Sequence, residues 1–493
     1  MPSRHASPAG GRSAARLEPP GEDAPAPLAR RARSQLVRLA TGLLCCSAAA
    51  CSGSEDDTAP ARPNILLVSI DSLRPDHLGC YGYERDTSPV LDELAARGVR
   101  FDQAVSPTSW TLPAHATLFT GLPPEGHGLR VDATALSDEA VTLAEVLADA
   151  GYATAAFVGG PFLRTMYGMD QGFEVYDESV VKEFRASQKG ATSPRLVGLT
   201  TDWLDDWERR DEPAPFFVFL HLWDVHYDYA PPPPYDSLFD PDYEGSVTGD
   251  DFETGNQVRL GMDPRDLEHV VALYDGEIAY TVHHLGTLLD HLEARGLADD
   301  TLVVVTSDHG EEFFEHGAKG HRKNLFDPSL RVPLIMSWPG RLPEGRVVES
   351  QVRLQDLPLT LLAQAGVAPP VGFAFAGPGA PQDLTPLMAS DAGRGPDLEA
   401  FGDLQGVLTT LRGEGVKLVR TTDRGGVVEH ELYLLDEDGE SLAADDDSGP
   451  RLAELRQRML EWKQRWARRR PLSVEIELSD EQTEHLRALG YLR

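Results

Sequence analysis

The sequence predicts an α/β protein with a mostly parallel central sheet covered by helices on both faces and a smaller C-terminal α+β subdomain. Three observations carry this expectation. Continuous apolar, β-branched runs recur along the chain, helical stretches alternate with them, and composition shifts to short strands and turns past residue 400. The length of 493 residues accommodates one large domain and an appendage.

The elements follow in order. NILLVSI at 64–70 has the pattern of a strand buried on both faces of a parallel sheet. Residues 88–97 form an amphipathic helix with Pro89 in its first turn. A second helix at 142–150 leads into the strand 152–158. PFFVFLHLW at 215–223 and TLVVVTS at 301–307 read as further buried strands, and VPLIMSW at 332–338 as another. Residues 264–295 read as one long helix or two abutting ones. Four prolines at 231–234 open an acidic, glycine-rich stretch reaching residue 256, a length at which a connection is expected to be a lid or binding loop. The segments GVLTTLRGEGVKLVRTT and HELYLLDEDGE, then a charged helix over 450–468, make up the C-terminal part.

The N-terminal region has a different character. Residues 1–38 contain seven arginines and no periodicity, and LATGLLCCSAAAC at 39–51 is apolar but too short to span a bilayer. Basic residues, a short apolar core and small residues before a cysteine describe a secretory signal. Ala48-Ala49-Ala50-Cys51 resembles a bacterial lipoprotein cleavage box, with Ala48 where leucine is commoner. The expectation is an exported protein of the bacterial cell envelope or periplasm, lipid-anchored to the membrane through Cys51. The expected division is 1–51 leader, 52–62 flexible tether, 63–399 main domain and 400–493 C-terminal subdomain and tail. Of the four cysteines, Cys45, Cys46 and Cys51 lie in the leader, so Cys80 has no partner for a disulfide within the body.

Seventy-nine acidic against 45 basic residues give a net charge of -34, which argues against nucleic acid as a partner. A small anionic substrate requires a local cation or a histidine cluster to overcome that field.

Asp71 follows the strand 64–70, and Asp308-His309 follow the strand 301–307. In open α/β sheets ligands collect at the carboxyl ends of strands, so two carboxylates and an imidazole there form a candidate divalent-metal site. Gly310 is expected to allow a tight turn after the pair.

NILLVSIDSLRPDHLGCYGY, TSWTLPAHATLFTG, TSDHGEEFFEHGAKGH with RVPLI, and the closing LSDEQTEHLRALGYLR resemble, in order and spacing, the signature blocks of the sulfatase family within the alkaline phosphatase superfamily. The resemblance spans residues 62–493. It implies the alkaline phosphatase/sulfatase-like fold, metal ligation by Asp71, Asp308 and His309, and a nucleophile in the block Thr111-Leu112-Pro113-Ala114-His115. Sulfatases carry Cys or Ser, x, Pro, x, Arg there and oxidise the first residue to formylglycine. Here Thr111 takes the nucleophile position and joins the metal set, and His115 takes the arginine position, so no formylglycine is expected. The metal is Ca²⁺ by resemblance, while the Asp/His/Thr set equally suits Mn²⁺, Mg²⁺ or Zn²⁺.

The departures matter chemically. A sulfated threonine lacks the second hydroxyl with which hydrated formylglycine expels sulfate. A phosphorylated threonine is still opened by water or an alcohol attacking phosphorus. Family membership thus points to sulfate esters and the hydroxyl count to phosphate esters, in a hydrolase, a phosphodiesterase or a phosphoryl transferase. Ser72 replaces a second aspartate of many sulfatases, and Gly159-Gly160-Pro161 offer no equivalent of a lysine and histidine found in many of them. Anion contact then falls to His226, in the family's substrate-facing block, and to Lys319 and His321, in the region of a sulfate-contacting lysine; His226 and His321 are also candidate proton donors. His221 and His316 are left open, and His269, His283 and His284 fall in helices and are discounted. Asp224 and Asp228 flank His226 and form a minor candidate for a second metal site. Tyr274-Asp275-Gly276-Glu277 reads as a packing motif. The rival from another class is a catalytically silent, surface-anchored binding protein, against which the retained Asp71, Asp308 and His309 argue.

Overall fold

The computed structural model describes residues 62–488, apart from 184–190, 251, 391–393, 414, 437–438 and 444. The leader, Cys51 and the tether lie outside the described residues. Nine strands form the main sheet: β1 (Asn64–Ile70), β2 (Val99–Val105), β3 (Ala153–Val158), β4 (Val175–Asp177), β5 (Phe216–Leu222), β6 (Thr301–Thr306), β7 (Arg331–Val332), β8 (Leu334–Ser337) and β9 (Arg346–Arg353). Their order is β7-β2-β8-β6-β1-β5-β3-β4, with β9 also paired to β2.

Every pairing is parallel except those made by β7 and β8. The expected strand at 332–338 is therefore two short strands divided at Pro333, which has no amide proton for the ladder, and both run against their neighbours. Strands β2 and β9 escape the sequence patterns used above, because charged and polar residues such as Arg100, Asp102 and Glu349 interrupt their apolar runs.

The central strands alternate between two cores, one on each face. Ile65 and Leu67, Phe217 and Phe219, and Leu302 and Val304 enter one. Leu66, Val68 and Ile70, Val218 and Leu220, and Val303 and Val305 enter the other. Burial on both faces explains why these segments read as unbroken apolar runs. The helices α1 (Pro89–Ala96), α2 (Thr111–Thr120), α3 (Leu143–Asp149), α4 (Ser193–Glu208) and α5 (Pro264–Ala294) contribute to these cores. Residues 264–294 are one unbroken helix of 31 residues. No helix among the described residues is long and apolar enough to cross a membrane.

A five-stranded antiparallel sheet follows over residues 400–442. Its Phe401, Leu411, Leu418 and Leu432 pack against Leu455, Met459, Trp462 and Trp466 of the helix Asp445–Ala467. Lys417, fully buried in this sheet, meets Asp327 at 2.9 Å and Glu440 at 2.7 Å, and so ties the sheet to the segment that follows the site.

The stretch opened by the prolines is pinned rather than open. Tyr229 bridges to Gly249, and Phe252 is fully buried against Tyr227, Tyr229 and Phe313.

The sheet face beneath the site is aromatic: Phe219 sets its ring edge-on to Phe119 at 4.9 Å and His115 at 5.8 Å. Truncation Phe219→Ala is expected to cost about 3–5 kcal/mol of unfolding free energy, read from the midpoint of a denaturant titration.

Candidate active site

The parallel arrangement delivers three chain crossings to one edge. Strand β1 lies between β5 and β6, so the residues after Ile70, Leu222 and Thr306 emerge side by side. The Asp71 amide donates to the Leu222 carbonyl at 2.9 Å, extending the ladder one residue past the strand. Asp71, Asp308 and His309 are all buried, with ligand atoms within 4.8 Å of one another.

Tight turns hold these groups. Ser72 adopts a left-handed φ of 58°, donates its hydroxyl to Asp71 Oδ1 at 2.8 Å and directs its amide at Asp308 Oδ1, 3.3 Å away. The Tyr274 hydroxyl donates to the Ser72 carbonyl at 2.8 Å and accepts from the Arg74 amide at 2.9 Å, clamping both sides of the turn. The packing role expected for Tyr274-Asp275-Gly276-Glu277 is therefore specific: Asp275 binds His77, Tyr83 and Arg85, and Glu277 accepts from the Ala230 amide. Gly310 serves close approach, since a Cβ there would lie 2.0 Å from the Pro328 carbonyl oxygen.

Thr111 opens α2, whose ten residues are all buried. Its Oγ1 lies 3.4 Å from Asp71 Oδ2 and 3.4 Å from His309 Nε2, and the first-turn amides give this end of the helix a positive field. His309 Nδ1 donates to the Gly310 carbonyl at 2.9 Å, leaving Nε2 with its lone pair towards Thr111 and Asp308.

Asp71 and Asp308 have only histidines as ion-pair partners among the described residues, and Asp308 Oδ2 receives no hydrogen bond. Two carboxylates buried this way are costly without a cation, and their donor set fits a divalent metal held by Asp71, Asp308 and His309.

Other expected groups distribute around this centre. His226 stacks on Trp223 at 3.9 Å and donates Nδ1 to the Tyr227 carbonyl; burial pushes its pKa down to about 4. His321 lies 4.4 Å from the His309 ring and 4.9 Å from His226, with Nδ1 3.2 Å from Glu311 Oε1. Burial pushes the Glu311 carboxyl well up and the His321 imidazolium well down, so the pair is held neutral with a proton between them. Glu311 also accepts from the Tyr229 hydroxyl at 3.0 Å. Sequence reasoning passed over Glu311, although its place two residues after His309 was a usable signal.

Several expectations are corrected. His115, expected among the catalytic groups, is fully buried, with Nδ1 donating to the Thr111 carbonyl at 2.9 Å and Nε2 accepting from the Ser69 hydroxyl at 3.0 Å. Burial brings its pKa down to about 3, so a neutral imidazole braces the first turn of α2. Lys319, expected to contact substrate, directs its ammonium to the Val258 carbonyl at 2.7 Å and the Gly255 carbonyl at 3.3 Å, fastening the proline-led segment. Asp224 accepts from the amides of Thr192 and Ser193 at 2.7 Å each, capping α4, and Asp228 accepts from the Phe252 amide. Those backbone donors occupy the carboxylates proposed for a second metal. His316 bonds Glu312 and stacks on Phe326, away from the centre. The opposite holds for His221, which lies within it, 3.3 Å from Asp71.

Comparison with known proteins agrees with this architecture. The sulfatase family profile matches residues 63–367. The chain is 28% identical over 426 residues to arylsulfatase A of Homo sapiens, covering 75% of this chain and 73% of that one. Among solved structures, one in complex with its substrate D-glucosamine-2-N,6-O-disulfate superposes with a TM-score of 0.67 at 19% identity, covering 83% of this chain and 99% of that one. The phosphonate monoester hydrolase of Agrobacterium radiobacter superposes at 0.65 with 23% identity, covering 82% and 96%. At these identities the structural likeness establishes the fold.

The clamp generates a prediction. Tyr274→Phe removes the hydroxyl that serves Ser72 and Arg74, and is expected to destabilise the protein by about 1–3 kcal/mol in a denaturant titration.

Proposed function

This chain belongs to the sulfatase family, a group of sulfuric and phosphoric ester hydrolases, and on that premise we propose that it cleaves phosphate esters through attack by Thr111. The observation that carries the reading is the position of Thr111 Oγ1, 3.4 Å from both the Asp71 carboxylate and His309 Nε2.

A divalent metal held by Asp71, Asp308 and His309 would supply charge neutralisation for the non-bridging oxygens and acidify the Thr111 hydroxyl. The chain's own groups do the rest. Thr111 Oγ1 forms the bond to phosphorus, with its proton accepted at Asp71 Oδ2, while the ester oxygen–phosphorus bond breaks. The Glu311–His321 pair gives its proton to the departing oxygen, with Glu311 fixing the imidazole's orientation. Water then adds to phosphorus, the phosphorus–Oγ1 bond breaks, and water's two protons restore Thr111 and the Glu311–His321 pair, while the proton on Asp71 leaves to solvent. The positive end of the α2 dipole favours the anionic group at Thr111. His226, neutral and stacked on Trp223, serves as an oxygen contact.

The preference for phosphorus rests on the single hydroxyl of threonine, which leaves a sulfated Thr111 without the exit available to formylglycine. The sulfate reading draws support from the relative named arylsulfatase A. Export, with lipid attachment at Cys51, accords with the leader sequence and is part of the proposal.

In a paired assay of aryl sulfate, phosphate monoester and phosphodiester with divalent metals, phosphoester turnover is expected, falling by at least about 10³-fold in Thr111→Ala without loss of fold. Sulfate release dependent on Thr111 contradicts the choice of ester. Glu311→Gln is expected to lower kcat by about 10- to 100-fold with little change in KM and to move the limb of the pH–rate profile governed by the proton donor.

A further inference from the structure

One fully buried imidazole at the centre has no task in the mechanism above. His221 lies on β5, in register with Ser69 of β1, and is completely enclosed. Neither of its ring nitrogens has a hydrogen-bond partner among the described residues. Its Nε2 nevertheless sits 3.3 Å from Asp71 Oδ2, and one of its nitrogens lies within 4.8 Å of an Asp308 oxygen. Asp308 Oδ2 likewise receives no hydrogen bond. An imidazole and a carboxylate, each buried with an unsatisfied atom and within reach of one another, form an arrangement that a shared cation satisfies.

Two further features point the same way. Position 72, where many sulfatases place a carboxylate, holds a serine whose hydroxyl donates to Asp71 Oδ1. Space for the His221 ring is made by Gly160, where a Cβ would lie 2.9 Å from His221 Cε1. The nearby His115 does not compete for the role, because the Thr111 carbonyl and the Ser69 hydroxyl occupy both its nitrogens.

We propose that His221 is a further protein ligand of the metal, completing a set of two carboxylates and two imidazoles that favours a borderline ion such as Zn²⁺ over Ca²⁺. This rests on the metal site given above and deepens it. Hard Ca²⁺ takes oxygen ligands almost exclusively, whereas imidazole nitrogen suits first-row transition ions. Substituting serine for an aspartate while admitting a second imidazole moves the donor set in that direction.

The test is metal binding by the full chain, stripped with chelator and titrated with Zn²⁺ against a chromophoric competitor, and separately with Ca²⁺. The wild type is expected to prefer Zn²⁺, and His221→Ala to weaken Zn²⁺ by at least about 10-fold while changing Ca²⁺ far less. In the Co²⁺-loaded protein the visible bands should shift in the same variant. Gly160→Ala, which removes no ligand but crowds the ring, should also weaken Zn²⁺. Circular dichroism of the metal-free proteins checks folding, and His221→Gln replaces the alanine variant if that one does not fold. Unchanged Zn²⁺ affinity and unchanged Co²⁺ bands on substitution of His221, with binding abolished in Asp71→Asn, overturn the role of His221 and leave the metal site standing. A wild type that binds no divalent ion, or binds it equally well as Asp71→Asn, overturns both.

Discussion

Two carboxylates buried side by side, Asp71 and Asp308, are the constraint around which the structure is arranged. Each terminates a strand that the sheet places next to the other, and neither has an arginine or lysine in contact among the described residues. Their repulsion and desolvation make this the most costly grouping of charge in the buried site unless a cation offsets it. The hydrogen bonds from Ser72, the Tyr274 clamp and the Nδ1 bond of His309 hold this geometry.

The proposed nucleophile, Thr111, takes its setting from the same constraint. Thr111 starts a wholly buried helix whose His115 is bound at both nitrogens, so the hydroxyl is fixed between Asp71 and His309. Two positions of this block, 111 and 115, are linked by the His115 bond to the Thr111 carbonyl. Threonine supplies one hydroxyl, and the neutral histidine four residues later braces a backbone carbonyl instead of presenting a charge. On the proposed function, charge compensation falls to a divalent metal and to the positive end of the helix.

Much of the fold was legible because its central strands are buried on both faces, which turns their sequence into unbroken apolar runs. Strands β2 and β9 were not legible, since Arg100, Asp102 and Glu349 face partly or fully outward and break the pattern. Of the site, Asp71, Thr111, Asp308 and His309 could be named from strand ends and block resemblance, and the structure brings them together. The roles of His115, His221 and Lys319 could not be assigned that way. They depend on which backbone carbonyl or hydroxyl each side chain meets across the sheet or in the pinned segment, and no local spacing records such contacts. Glu311 lay hidden for a related reason: its meaning comes from His321, ten residues on, which the short ribbon Glu312–Phe313 and Lys319–Gly320 folds back towards it.

The central claim, that Thr111 takes the transferred group, is tested most directly by rapid quenching during turnover of a phosphodiester, with mass spectrometry of the proteolytic peptide spanning residue 111. The account predicts a phosphoryl group on Thr111 that accumulates before the steady state and disappears as substrate is exhausted. Turnover with that peptide unmodified at every time point, or a sulfate on Thr111 that forms and clears with an aryl sulfate, would contradict it.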